Sequence, residues 1–348
     1  VIILPWDYKA TGLMHVNINQ NAFYQSKRGA IQIKTIRKKS DGYQHFLDNR
    51  IVLTAGGTVV LARGVHKVIQ RRNDIHYPWL GTAHLFEGSD INIVNFKSPL
   101  VNNFKYPKSS WLLIGKSEYA NAMAAIGIDL VSVAGNHMGD AKVEGLLNTL
   151  SVLNRLNIKT VGAGENINDA YQCKVISKKG TRFGFLGFNN VMGSIGKAGQ
   201  KYPGIAWLDN DAINAIKKCK GRVDQLVVMA NWGIEYQHTP RKKEKNLAYK
   251  MVDAGADIIL GDQAHWVQNK ETYKLAHISY GLGNYIFDQH WSKNTTEGII
   301  QKIVFYNNQR IYIDTIPVQL IKTGEVVELN KTSDRYQNVL NAYYGIPN

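Results

Sequence analysis

Cysteine is nearly absent from this chain: 348 residues hold two, Cys173 and Cys219. So few sulfurs exclude a small disulfide-stapled scaffold, and the spacing of the pair matches no zinc motif. One disulfide or two free thiols both stay open, and with them the redox compartment. Long apolar runs are missing too: nothing approaches the roughly eighteen consecutive apolar residues of a membrane-spanning helix. Acidic residues are few, 27 Asp and Glu against 42 Lys and Arg, for a formal net charge of +15. Such an excess favours a polyanion or an anionic surface as partner. Zinc-finger spacing, a basic zipper and a recognition helix are all lacking, so no specific nucleic-acid partner is expected.

What is present suits a folded chain. With 44% hydrophobic and 20% charged residues, it can bury a sizeable core as one large or two modest domains. The basic residues cluster at 27–39, 67–72, 217–222 and 241–245. Arg241-Lys242-Lys243 stands at the start of a predicted helix, where cations are disfavoured and would look outward to an anion or to water. Residues 1–50 read as an N-terminal extension or small strand-containing subdomain, with AIQIKTI at 30–36 alternating like a half-exposed strand. The chain starts at Val1, which reads as a trimmed or processed start; a signal or anchor removed there would leave no trace in the sequence. The main body covers 51–330, and 331–348 is a tail with a short helix from Asp334.

Within the body, buried strands alternate with helices, the mark of an α/β fold whose sheet is covered on both faces. Strands are predicted over 51–55, 91–94, 129–134, 225–230 and 257–260, and helices over 118–126, 144–156, 209–220 and 241–254. Gly56-Gly57-Thr58 reads as a tight turn closing the first strand. CKVISKKGTRFGFLGF, at 173–188, reads as a hairpin turning at Lys179-Gly180. An antiparallel set over 300–306, 310–317 and 324–328 follows, so the sheets are mixed.

The polar residues recur at strand ends. Thr58, then Asn95 and Lys97, then Asn136, His137 and Asp140, then Asn231, Trp232 and Glu235, then Asp262, Gln263 and His265 each follow an apolar run. In open α/β sheets ligands bind beyond the carboxyl ends of strands, so a site fed by several loops is expected there. Trp232, Trp266 and Trp291 stand near these residues in sequence and could together form an aromatic wall; core packing is the alternative for each. GLGN, at 281–284, reads as a glycine-permitted close approach to the same site rather than a nucleotide loop.

The motifs GTVVLAR (57–63), NFKSPL (95–100), AGNHMGD (134–140), NWGIEYQHTP (231–240), GDQAHWVQ (261–268) and YGLGNYIFD (280–288), in this order, resemble those of the capsule-biosynthesis CapA family, also called the poly-gamma-glutamate synthesis family. The resemblance covers roughly 51–319. It implies a fold similar to the calcineurin-like metallophosphatases, a four-layer α/β/β/α sandwich with mixed sheets. It also implies a role in making or exporting an anionic surface polymer such as poly-gamma-glutamate. The implied partners are that polymer and membrane-bound synthesis or export proteins, and the implied place is the bacterial cell surface or periplasm.

The departures from the family pattern bear on chemistry. Where the resemblance implies acidic residues in the first two motifs, this chain has Thr58 and Lys97. Where it implies histidines in the fourth and fifth, it has Asn231 and Gln263. Two-metal hydrolysis needs carboxylates and imidazoles shared between two cations. Thr58 removes a charge and Lys97 inverts one. The expectation is therefore a cleft that binds a carboxylate or phosphate group, requires no cofactor, and has room for at most one divalent ion (manganese, zinc or iron) on His137 and His265. Acid–base candidates are His137, Glu235 and Asp140. Candidate ligand-binding residues are Arg63, Lys97, Asn95, Asn136, Asn231, Trp232, Gln263 and Asn284. The alternative is a metal-dependent or metal-free hydrolase of a phosphoester or amide bond in the polymer.

Overall fold

The structure, a computed structural model, describes residues 23–26, 29–32, 41–105 and 111–347. Its body is built on two mixed sheets. In the eight-stranded sheet, Ile51–Val59, Ile91–Phe96, Leu130–Ser132 and Lys159–Val161 run parallel, and Glu297–Tyr306, Gln309–Lys322 and Glu325–Glu328 extend the other side antiparallel. In the six-stranded sheet, Thr181–Asn189, Gln225–Asn231, Ile258–Asp262 and Ala276–Leu282 are parallel, and Lys174–Lys178 and Val267–Tyr273 close its edges antiparallel. The Val267–Tyr273 strand is an addition to the expected elements. The rest of the expected body is present, with boundaries moved by a few residues.

Side-chain alternation explains what each sheet faces. Successive residues of a strand point to opposite sides. Ile51, Leu53, Ala55, Ile91 and Ile93 of the larger sheet share one buried cluster with Phe183, Phe185, Val227, Met229, Ile258 and Leu260 of the smaller. The intervening Val94 and Phe96 instead join a cluster with Val65 and Ile69 of the helix Arg63–Arg72 and Leu146 and Leu153 of the helix Lys142–Arg155. Leu226, Val228 and Ala230 meet Ala212 and Ile216 of the helix Asn210–Lys220 and Ala248 and Met251 of Lys242–Asp253. Each large aliphatic or aromatic side chain so buried contributes roughly 1.5–3 kcal/mol.

The glycine pair at 56–57 is a correction. Ile51–Val59 is one continuous strand through both glycines, with its register shifting between Gly56 and Thr58. The reason is a crossing: a Cβ on Gly57 would lie 2.3 Å from the Gly283 carbonyl oxygen, the same oxygen that accepts the Thr58 amide at 3.1 Å. Gly283, at φ +72°, carries the chain out of the smaller sheet at Leu282 and into Asn284–Ile286, which pairs parallel with the larger sheet.

Other expectations are settled locally. Cys173 and Cys219 form a disulfide across 46 residues, tying the start of the edge hairpin to the helix Asn210–Lys220; such a link stabilises by about 2–4 kcal/mol. Arg241 does not look outward alone: Glu244, 1% exposed, accepts its backbone amide at 3.0 Å and its guanidinium, supplying the negative charge that a helix start favours. Of the N-terminal segment, a short antiparallel pair, Phe23–Ser26 with Gly29–Gln32, and the helix Asp41–Asn49 are described. The remainder of the strand expected over 30–36 lies outside the described residues. Among the described residues no helix is long and apolar enough to cross a membrane.

A buried polar knot joins both sheets to the last helix, Asp334–Tyr344. His277 Nε2 lies 2.9 Å from Ser279 Oγ, and Tyr343 Oη lies 2.9 Å from the same oxygen and contacts Gln301. Burial, reinforced by the charges of Arg310 and Lys270, pushes the His277 pKa down to about 3. An unfolded chain would protonate this histidine near its ordinary 6.5, so its share of stability is present above that pH and is lost progressively as pH falls toward 3. Urea denaturation of the wild type and of His277→Gln between pH 7.5 and 4 should show this directly. The variant is expected to be less stable at neutral pH by about 1–3 kcal/mol and to lose less on acidification. Parallel pH dependences for the two proteins would rule the contribution out.

Candidate functional site

The strand alternation that builds the core also places the polar strand ends. Counting outward from Leu53, Ile93, Phe185, Met229 and Leu260, the period of two puts Asn95, Asn189, Asn231 and Asp262 on the face between the sheets. The shift at Gly56–Thr58 brings Thr58 to the same face, opposite Val59 of the helix-side cluster. Two rows result. In the larger sheet Asn284, Thr58 and Asn95 are register neighbours; in the smaller, Asn189, Asn231 and Asp262 are. The rows close the apolar core at the carboxyl ends of the parallel strands.

Charge joins the two rows. The Thr58 hydroxyl donates to Asp262 Oδ1, and Lys97 Nζ lies 3.2 Å from Asp262 Oδ2. Lys97 Nζ also donates to Gln263 Oε1 at 2.9 Å, and Gln263 Nε2 donates to Glu235 Oε1 at 3.0 Å. His265 Nε2 is 3.7 Å from that same carboxylate oxygen, and its Nδ1 meets Asn284 Oδ1 at 2.9 Å. His265 holds the Glu235 carboxyl below the usual carboxylate range against the opposing effect of burial, with help from Tyr236 and Lys97. The Tyr236 hydroxyl is driven the other way, up to about 12, by burial and by Glu235.

A second cluster forms around the turn after Leu130–Ser132. His137 Nδ1 donates to Asp140 Oδ2 at 2.8 Å. The same carboxylate accepts the Leu113 amide at 2.8 Å and the Ser194 hydroxyl at 2.8 Å. Burial pushes Asp140 up, but His137, the Leu113 amide and Ser194 outweigh it and leave the carboxyl below its ordinary value. The His137 side chain is 34% exposed. With Nδ1 engaged by Asp140, Nε2 is the nitrogen a guest would meet. Asn136 links the clusters loosely, its Oδ1 3.5 Å from Asn231 Nδ2.

Backbone strain concentrates here. Arg63 (φ 46°), Tyr236 (φ 62°), Gln263 (φ 92°) and His265 (φ 56°) all sit in the left-handed region, which costs a residue with a side chain of order 1–3 kcal/mol. Tertiary contacts hold them. Arg63 pairs with Asp288 and lies over the Phe287 ring; Tyr236 packs against His265, Trp266 and Trp291.

Two expected ligand-binding residues are corrected by where they lie. Trp232 is fully buried, donates its indole N–H to the Tyr280 carbonyl at 2.9 Å and stacks on that ring, so it is core rather than aromatic wall. Asn284 is also fully buried, its amide spent on Gln289 and the Thr295 carbonyl, so it positions His265 instead of meeting a ligand. Lys97, Asn95, Asn231 and Gln263 form the floor, each 2–4% exposed. Asn95 Nδ2 and Asn231 Oδ1 there have no hydrogen-bond partner. The solvent-facing groups are His137, Glu235 at 41% side-chain exposure, and Trp291 at 60%. Asn189, Asp288, Gln289 and Tyr236 were not anticipated. A polar pair ending an apolar strand, as in GFLGFNN, was the available signal for Asn189.

The donor set does not fit a two-ion centre. An ammonium stands 3.2 Å from the Asp262 carboxylate, Thr58 occupies its other oxygen, and His137 and His265 have separate partners. Among the described residues no group of three or more His, Cys, Asp and Glu side chains is placed to hold an ion.

Comparison with known proteins follows the same strands. Residues 52–289 match the family model described as "Bacterial capsule synthesis protein PGA_cap". The chain is 29% identical over 286 residues to a "Capsule biosynthesis protein CapA" of Bacillus anthracis, covering 80% of this chain and 69% of that protein. It is 31% identical over 251 residues to a "PGA biosynthesis protein CapA" of Bacillus subtilis (strain 168), covering 70% and 65%. It thus spans about two thirds of the length of these relatives. A "Probable polyglutamine synthesis accessory protein" of Mycobacterium tuberculosis is 22% identical over 258 residues, covering 70% and 68%. Among solved structures, a hypothetical protein from Thermus thermophilus aligns with TM-score 0.48 at 12% identity, over 80% of this chain and 100% of that one. The NAD nucleotidase of Haemophilus influenzae aligns at 0.47 and 11%, over 84% and 55%. The family match covers most of the chain and takes in both rows of strand ends, and the chain belongs to the bacterial capsule synthesis protein PGA_cap family.

Proposed function

We propose that this protein serves the assembly or export of an anionic surface polymer of the poly-gamma-glutamate type, holding the polymer rather than cleaving it. The observation that carries the reading is the net charge of +15 on a chain of this family. The exposed residues Lys67, Arg71, Arg72, Lys217, Lys218, Lys242 and Lys243 offer a polycarboxylate the surface that long-range attraction requires. The names of the relatives, capsule biosynthesis and PGA biosynthesis, support the polymer class. The disulfide supports an extracytoplasmic place at the cell surface or periplasm, since such bonds persist in oxidising compartments. In this reading the 51–330 body is one domain with metallophosphatase-like α/β/β/α layering, flanked by 1–50 and 331–348. It works with membrane-bound synthesis or export proteins, without a required cofactor.

A hydrolytic reading also has an observation behind it. The His137–Asp140 pair presents a partly exposed imidazole oriented by a buried carboxylate, the arrangement a proton-transferring residue needs. Glu235 is the second acid–base candidate in it, and Arg63, Asn136 and Asn231 would line the approach.

Fluorescence anisotropy with labelled poly-gamma-glutamate tests the first reading. Binding is expected, and binding to neutral dextran is not; affinity should fall by about tenfold or more as salt rises from roughly 0.05 to 0.5 M. Salt-independent affinity, or equal affinity for dextran, would refute it. His137→Gln separates the readings: polymer binding is expected to survive unchanged, whereas a hydrolase would lose about 10²–10⁴-fold in rate. Asp140→Ala has a structural effect under either reading, because it strands the Leu113 amide and releases Ser194. A loss of about 1–3 kcal/mol at neutral pH is expected. The lowered carboxyl pKa makes that contribution fully present above the ordinary 3.8 and lost as pH falls through the lower folded value, so the gap between wild type and variant should narrow in denaturation measured at pH values descending from 3.8.

A further inference from the structure

Lys97 is among the most deeply buried large side chains of the protein, at 2% exposure. Lysine is almost never buried so completely unless its charge is answered. Its strand belongs to the larger sheet, and its backbone amide donates to Val59 of the neighbouring strand at 3.0 Å. The partners of its ammonium belong to the smaller sheet: Asp262 Oδ2 at 3.2 Å and Gln263 Oε1 at 2.9 Å. The side chain crosses beside Gly135, where a Cβ would come within 3.2 Å of Lys97 Cγ. From Gln263 the polar chain runs on to Glu235 and His265. One positive centre thus draws in two carboxylates and an amide at the junction of the sheets.

We propose that Lys97 is a tethered cation that cross-links the strand ends of the two sheets in the way a bound divalent ion would, and that its charge keeps such ions out. The remaining donors, the Asp262 and Glu235 carboxylates and the His265 imidazole, are of the kinds that bind manganese or zinc. With Lys97 in place these donors are not set to hold an ion: the ammonium, 3.2 Å from Asp262 Oδ2 and joined to Glu235 through Gln263, repels a dication there. Removing its charge unmasks a site, and reversing the charge completes one. This goes beyond the polymer reading and does not rest on it, because its tests read metal binding and melting rather than polymer affinity.

The test compares wild type, Lys97→Gln and Lys97→Glu after chelation, titrating manganese or zinc chloride by isothermal calorimetry and following thermal melting with and without the metal. Wild type is expected to bind no stoichiometric ion at this site and to melt at the same temperature with metal or with chelator. Lys97→Gln should melt lower, having lost the cross-link, and should acquire one metal equivalent that His265→Ala removes. Lys97→Glu should melt lower still without metal, recover when metal is added, and bind it at least about tenfold more tightly than Lys97→Gln. Should Lys97→Glu fail to fold even with metal, Lys97→Gln alone decides the matter. A stoichiometric ion on wild type that is lost in His265→Ala would overturn the proposal. So would a Lys97→Gln protein that melts like wild type or binds no metal.

Discussion

The crossing of the chain from one sheet to the other at Leu282-Gly283-Asn284 is the constraint on which the rest of this structure depends. The strand Ala276–Leu282 ends in the smaller sheet and Asn284–Ile286 begins pairing in the larger, so a single residue makes the transfer. Gly283 does so at φ +72°, and the Gly57 backbone comes close enough that no side chain fits between. That contact fixes the separation of the sheets at their carboxyl ends. It sets Thr58 within reach of Asp262 and Asn284 within reach of His265. A side chain at position 57 would push the sheets apart where their polar rows meet.

With the sheets so close, polar groups buried at the strand ends meet one another across the junction. A buried carboxylate, ammonium or amide is costly unless fully partnered, and a low local dielectric strengthens partners and penalises gaps alike. The Thr58–Asp262–Lys97–Gln263–Glu235 chain meets that demand. Gln263 and His265 remain in the left-handed region beside it, their side chains engaged by Lys97, Glu235 and Asn284. A buried ion pair of this kind is weak evidence for net stability. Its stronger effect is on uniqueness, since it accepts one mutual position of the two sheets.

Much of this was legible in the sequence, and the failures have physical causes. Apolar runs ending in Thr58, Asn95, Asn136, Asn231 and Asp262 gave the strands and the end of the sheet at which they converge, because strand ends are local features. GLGN was legible as a close approach. Gly56-Gly57 was misplaced as a turn because the same residues serve a turn and a crossing, and only the partner strand, more than two hundred residues on, distinguishes them. Trp232 was misplaced because whether an aromatic at a strand end turns inward depends on Tyr280, which pairs with it only in three dimensions. The Val267–Tyr273 strand carries polar and charged residues and lies at a sheet edge, so its pattern lacked the apolar signal. Gln289 owes its place to a contact with the buried Asn284 amide, for which a single sequence holds no spacing rule. The disulfide stood open because two cysteines 46 residues apart meet only once hairpin and helix are packed.

The positive charge of the chain and the positive charge of its site are separate matters. Lys97 is spent on Asp262 and Arg63 on Asp288, so neither presents an unanswered cation to a ligand. Exposed basic residues such as Lys67, Arg71, Lys217 and Lys218 lie on helices instead. A polyanion would therefore be gathered by the surface at long range and would meet at the strand ends a nearly neutral floor, rimmed by His137, Glu235 and Trp291. Attraction that is diffuse suits a long, repetitive polymer, which can bind in many registers and slide between them. A floor without free positive charge suits the same task, since a deep cationic trap would hold one carboxylate and stop the chain. In the proposed function the buried ammonium would close the junction of the sheets and leave the polymer on the rim.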